Sequence, residues 1–162
     1  MMKKICMVLV ALTMALTASA QFEEGKFYTN ASLDGLGMGY NGASGFKFGI
    51  SAQAGYCIVD NWMVLAKAGL STQTEESSDN TVLTLGVGGR YYIIQNGLYL
   101  GVNVQYKHAH HYNDFVPGVE IGYAFFLNKY ITIEPVLYYD QSFKDHGNYS
   151  TVGARVGLGF YF

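Results

Sequence analysis

Apolar and non-apolar residues alternate along most of this chain with a period of two. The clearest case is its last stretch, where Val152, Ala154, Val156, Leu158, Phe160 and Phe162 interleave with Thr151, Gly153, Arg155, Gly157, Gly159 and Tyr161. Successive side chains of a strand point to opposite faces. One face here is therefore wholly apolar, and the other is mostly glycine around a single arginine. The same alternation predicts eight strands, over 26–40, 46–58, 62–70, 81–93, 98–107, 115–127, 130–140 and 150–162. Most exceed the ~5–6 residues of an ordinary globular strand and match the ~9–11 that cross a bilayer at a tilt.

Parity assigns the faces. Phe48, Ile50 and Ile58 oppose Lys47, Gln53 and Cys57. Leu83, Leu85 and Val87 oppose Thr84, Gly86 and Arg90. Leu100, Val102 and Val104 oppose Tyr99, Gly101 and Lys107. Val119 and Ile121 oppose Glu120 and Gly122, and Ile133 and Leu137 oppose Glu134 and Tyr138. A soluble sandwich also alternates, but it turns a polar face to water. Here the second face is glycine-rich and carries few charges, which suits a narrow interior behind an apolar outer wall. Val59-Asp60-Asn61, Gln95-Asn96-Gly97 and Asn128-Lys129 read as tight turns. The connections at 42–45, 71–80, 108–114 and 141–149 are mostly longer and more polar. Short turns at one end and longer loops at the other are the habit of barrels in outer membranes, and an even strand number puts both termini at the short-turn end. Trp62, Tyr91, Tyr92, Tyr99, Phe125, Phe126, Tyr130, Tyr138 and Tyr139 gather near strand ends like an interfacial girdle. The expected fold is all-β, an eight-stranded antiparallel up-and-down transmembrane β-barrel.

The N-terminus sets the compartment. Lys3 and Lys4, the apolar run from Ile5 to Leu16, and Ala18-Ser19-Ala20 before Gln21 form a secretory signal peptide. The expected organisation is a cleaved peptide over 1–20 and one barrel domain over 21–162. Losing Lys3 and Lys4 takes the ten basic residues to eight against twelve acidic ones, a net charge of about −4. With no basic stripe, nucleic acid is not an expected partner. Cys57 alone remains of the two cysteines, so no internal disulfide framework is expected. Abundant tyrosine, phenylalanine and glycine with two prolines exclude a water-soluble disordered chain. No stretch after residue 20 has the ~18 consecutive apolar residues of a spanning helix.

Taken whole, residues 21–162 resemble the small eight-stranded outer-membrane β-barrels, the family that includes OmpA-like transmembrane domains, OmpX and the opacity proteins. Gly157-Leu158-Gly159-Phe160-Tyr161-Phe162 resembles the terminal signal, with Phe160 and Phe162, that the barrel assembly machinery reads. Ala18-Ser19-Ala20-Gln21 and the segment 133–139 look like members from Bacteroidota. The resemblance implies a Gram-negative outer membrane with both termini periplasmic, outer-membrane lipid and the assembly machinery as partners, and no cofactor. No peptidoglycan-binding domain of the OmpA type is expected after Phe162.

The candidate chemistry lies inside and at the loops. Lys47, Lys67, Arg90, Lys107, Glu120, Glu134 and Arg155 fall on the inward face. An interior just wide enough for side chains forces such charges to pair, because desolvation costs several kcal/mol per ion. Arg90 and Arg155 against Glu120 and Glu134 are the expected pairs. The bulky inward Tyr92, Tyr99 and Tyr138 argue against an open bore. His108, His110 and His111 share one loop and His146 lies in the next, a weak candidate set for zinc, copper or nickel. No enzyme is expected: Gly-x-Ser-x-Gly and HExxH are absent, and nothing sets Ser142 beside an oriented imidazole. The leading expectation is a barrel with a filled lumen and a structural or surface-interaction role through external loops, its extracellular ligand unknown. A narrow gated channel, and an exported soluble barrel for a hydrophobic ligand, are the alternatives.

Overall fold

The computed structural model describes residues 22–34, 46–75, 78–93, 97–109, 112–143 and 150–162. They form one antiparallel sheet from β1 (Phe27–Asp34), β2 (Phe46–Val59), β3 (Trp62–Glu75), β4 (Ser78–Tyr92), β5 (Leu98–Ala109), β6 (Tyr112–Tyr123), β7 (Phe125–Phe126), β8 (Ile131–Asp140) and β9 (Thr151–Tyr161). Each strand pairs with its neighbour in sequence, except that β6 and β7 both pair with β8, and β1 pairs with β9 from Tyr28 opposite Tyr161 to Asp34 opposite Arg155, which closes the sheet on itself. Closure removes both edges and satisfies the wall's backbone without water.

The nine segments make eight staves, because β6 and β7 are one stave interrupted at Ala124. The register against β8 runs from Gly118 opposite Asp140 through Gly122 opposite Val136 to Phe125 opposite Ile133, with no shift across the gap. That register sets Tyr123 opposite Pro135, which has no N–H to donate, so the ladder loses a rung there.

The alternation sorts side chains as the period requires. Val87 and Val102 on the outer wall are 66% and 65% exposed, while Arg90 and Tyr99 on the same two strands are 1% and 0% exposed. Such an outward band of Val, Leu, Ile and Phe is stable only against an apolar medium. Of the aromatic residues near strand ends, Trp62, Tyr91, Phe125, Tyr130 and Tyr139 face out, but Tyr92, Tyr99, Phe126 and Tyr138 belong to the interior. Neighbours in a strand take opposite faces, so a girdle can recruit only alternate residues.

Two loops are shorter than their composition suggests. β3 and β4 stay paired as far as Glu75 opposite Ser78, and β5 and β6 as far as Ala109 opposite Tyr112. The segments 71–80 and 108–114 are thus largely strand. Beyond the apolar band the ladder needs only register, and polar residues such as threonine suit it. The opposite end has tight connections. Asn61 turns β2 into β3 with φ 67°, and the side chain of Asn128 accepts from the amides of Tyr130 and Ile131 at 2.8 and 2.9 Å. The expected signal peptide and residues 35–40 of the first expected strand lie outside the described residues.

Candidate functional site

Inside the barrel, small and large residues are matched across strands. Gly101 lies opposite Glu120, Gly122 opposite Tyr99, and Gly153 opposite Tyr138. A Cβ at any of these glycines would run into the partner's side chain. The glycines therefore leave room for the few large groups that fill the lumen.

Arg90, on β4, is the hub of that filling. Its Nε donates to Glu120 Oε1 at 2.9 Å. Its Nη1 donates to the Tyr28 hydroxyl at 2.9 Å and to Glu134 Oε2 at 3.2 Å, and its Nη2 donates to Gln53 Oε1 at 2.8 Å. The guanidinium also lies 4.3 Å from the ring centroid of Tyr99, a cation–π contact. Glu120 is shared: its other oxygen accepts from Arg155, which in turn lies 5.2 Å from the ring of Tyr138. Glu134 is held from several sides. The Tyr28 hydroxyl donates to it at 2.6 Å, Thr132 Oγ1 at 2.8 Å and the Tyr161 hydroxyl at 3.2 Å. Five staves thus meet at two carboxylates. Arginine's planar fork makes this possible, since its donors point in several fixed directions at once.

Beneath this layer, toward the turns, the interior is dry and aromatic. Tyr92 and Tyr161 share a hydroxyl–hydroxyl bond of 2.9 Å. Phe22 stacks on Tyr92 with centroids 3.8 Å apart, and Cys57, Met63 and Ala124 complete the cluster. Above it, toward the loops, the interior is polar. Lys107 pairs with Asp140 at 3.2 Å, Gln105 reaches the same carboxylate at 3.1 Å, and the Ser142 hydroxyl donates to Asp114 at 2.7 Å.

The inward charges named from sequence therefore separate. Arg90, Glu120, Glu134 and Arg155 meet in one cluster. Lys107 stands apart with Asp140, Lys67 shares the lumen face of β3 with Met63, and the side chain of Lys47 lies outside the described residues. His108 is exposed beside Asn113. His110, His111 and His146 lie outside the described residues, and among the described residues no three His, Cys, Asp or Glu side chains gather as a metal site would need. Phe160 on β9 and Phe162 just past its end face outward, and the backbone of Phe162 pairs with Phe27 through bonds of 3.1 and 2.9 Å across the β1–β9 seam. Tyr28 and Phe22 had no place in the sequence reading, which set Gln53 on the inward face but gave it no part in the charge cluster. Parity with Phe27 and Leu33 would have turned Tyr28 inward, but no pattern marks Phe22.

The closed wall, the apolar exterior and the filled lumen define a small eight-stranded β-barrel of the outer-membrane type. No family model and no curated protein matches the chain. Solved structures do. Neisserial surface protein A is 17% identical, with a TM-score of 0.64 over 85% of this chain and 98% of its own. The outer membrane protein OprG of Pseudomonas aeruginosa is 14% identical, with a TM-score of 0.61 over 86% of this chain and 97% of its own. The Yersinia pestis outer membrane protein Ail, solved in a phospholipid bilayer nanodisc, is 12% identical, with a TM-score of 0.62 over 86% of this chain and all of its own. At these identities the likeness establishes a common fold.

Proposed function

We propose that this protein resides in the outer membrane of a Gram-negative bacterium, with a Bacteroidota-like sequence and both termini in the periplasm. Its role is structural or a surface interaction made by its external connections. Outer-membrane lipid surrounds it, the barrel assembly machinery inserts it through Phe160 and Phe162, and no catalytic step is assigned to it. The observation that carries this reading is the buried layer around Arg90, whose contacts to Glu120, Glu134, Tyr28 and Gln53 reach across the lumen to four other strands. A barrel filled in this way offers a ligand its rim rather than its bore. A gated channel is the second reading. It is favoured by one feature, the sharing of Glu120 between Arg90 and Arg155, since movement of either arginine would loosen the layer.

The test is to refold the protein in detergent, confirm the heat-dependent gel shift of a closed barrel, and record conductance in a planar bilayer. A folded, silent barrel is the expected result. Discrete, reproducible steps would replace the surface role with the channel. Release from membranes by a carbonate wash would overturn both in favour of a soluble ligand-binding barrel.

A further inference from the structure

One group in the dry end of the lumen does not come from the wall. Phe22 precedes β1 by five residues and is wholly buried, packed on the face of Tyr92 and the edges of Phe126 and Tyr161 at 5.6 and 5.5 Å. The chain reaches this position by doubling back at Gly25, whose φ of 89° is open to glycine and strained for other residues. The hook is tied to the last residues of β2 and to the turn that follows them. The Asn61 amide donates to the Phe22 carbonyl at 2.8 Å, the Gly25 amide to the Cys57 carbonyl at 2.9 Å, and the Glu24 amide to Asp60 Oδ1 at 2.9 Å. Asn61 is the pivot, because its own carbonyl accepts from the Tyr92 amide at 2.8 Å. The turn that holds the hook therefore also positions the ring on which Phe22 stacks.

We propose that residues 22–25 are a stopper: Phe22 seals the turn-side end of the lumen and can be withdrawn without breaking the barrel wall. The wall-borne aromatics Tyr92, Tyr99 and Tyr161 cannot leave the lumen unless ladder hydrogen bonds open. Phe22 can leave when its own ring contacts and three hydrogen bonds, at the end of β2 and the turn after it, are lost, so its withdrawal is a local opening that leaves the strand ladder intact. Its cage draws on β4, β7 and β9, so it is complete only when the last strand has docked on the first. The stopper thus seats after the barrel has closed. This inference goes beyond the surface role and holds whether or not the external connections bind anything.

Cys57 supplies the readout, because it is buried in the same cluster as Phe22. The full chain would be exported in cells, purified in detergent and treated with a charged, water-soluble thiol reagent, with modification at Cys57 followed by peptide mass spectrometry. The heat-dependent gel shift would confirm that each sample is folded. Phe22→Ala is expected to react at least roughly tenfold faster than the parent. Phenol, which fits the emptied aromatic cage, is expected to slow it again, as apolar cavities accept small aromatic molecules. Equal rates in folded parent and variant would overturn the stopper. So would an acceleration that phenol leaves unchanged, since that marks general loosening. If Phe22→Ala does not fold, Phe22→Leu decides by the same rates, with a severalfold acceleration expected and equality overturning the proposal.

Discussion

The turn-side and loop-side halves of the lumen both bury charge, yet they do so differently. Around Arg90 the ions are sealed, and each carboxylate is met by several donors: Glu120 by two arginines, Glu134 by Arg90, Tyr28, Thr132 and Tyr161. Around Lys107 the side chain keeps 15% of its surface in contact with solvent, and it makes a single 3.2 Å contact to Asp140, whose other oxygen accepts from the neutral amide of Gln105. The first arrangement uses arginine and tyrosine, whose rigid groups donate in fixed directions. The second uses lysine, a flexible point charge that tolerates water nearby. Depth within the bore thus decides which cation is used and how completely it is paired. A deep ion must have its whole hydration shell replaced, whereas one near the rim keeps part of it.

The largest test of that contrast is Arg90→Ala. It removes the arginine that pairs with Glu134 and one of the two that pair with Glu120, and a loss of about 3–5 kcal/mol is expected in urea unfolding followed by the emission of Trp62, the single tryptophan. Adding Glu134→Gln to the same chain is expected to return much of it, because Glu120 keeps Arg155 and the penalty lies in the uncompensated carboxylate of Glu134. A double variant no better than the single one would mean that Arg90 acts mainly by packing. An intermediate effect is expected from Gly122→Val, which forces a side chain into the ring of Tyr99. Overpacking of this kind costs about 1–3 kcal/mol, and Tyr99→Ala in the same chain should relieve part of it. The smallest effect is expected at the loop side. Lys107→Ala should shift the unfolding midpoint by about 1 kcal/mol or less, and the difference from the parent should shrink as salt is raised. A Lys107 variant as damaged as the Arg90 variant would erase the distinction between the two halves.

The wall was legible in the sequence because it repeats. Every strand obeys the same period of two, so the assignment of Arg90, Glu120, Glu134 and Arg155 to the interior followed from counting. The strand ends were less legible. Residues 71–75 and 78–80 read as loop because the alternation of apolar and polar fades there, although backbone pairing goes on without it. Proline hid another detail: Pro135 sits in an unmistakable strand, and the rung it cannot make with Tyr123 shows as a break in the neighbouring stave, at Ala124. Phe22 was illegible for a deeper reason. A single aromatic residue ahead of the first strand has no periodicity to place it, and its site exists only once β4, β7 and β9 surround it.

The inward glycines have a meaning beyond packing. Gly101 with Glu120, Gly122 with Tyr99, and Gly153 with Tyr138 each divide a fixed interior volume between two neighbouring staves. A lineage carrying this barrel cannot enlarge one member of such a pair without shrinking the other. It can, however, exchange their sizes and leave the wall undisturbed. The heritable unit of the interior is then the cross-strand couple rather than the residue. Descendants of this chain are expected to drift by paired swaps, with large and small trading sides while the bore stays full.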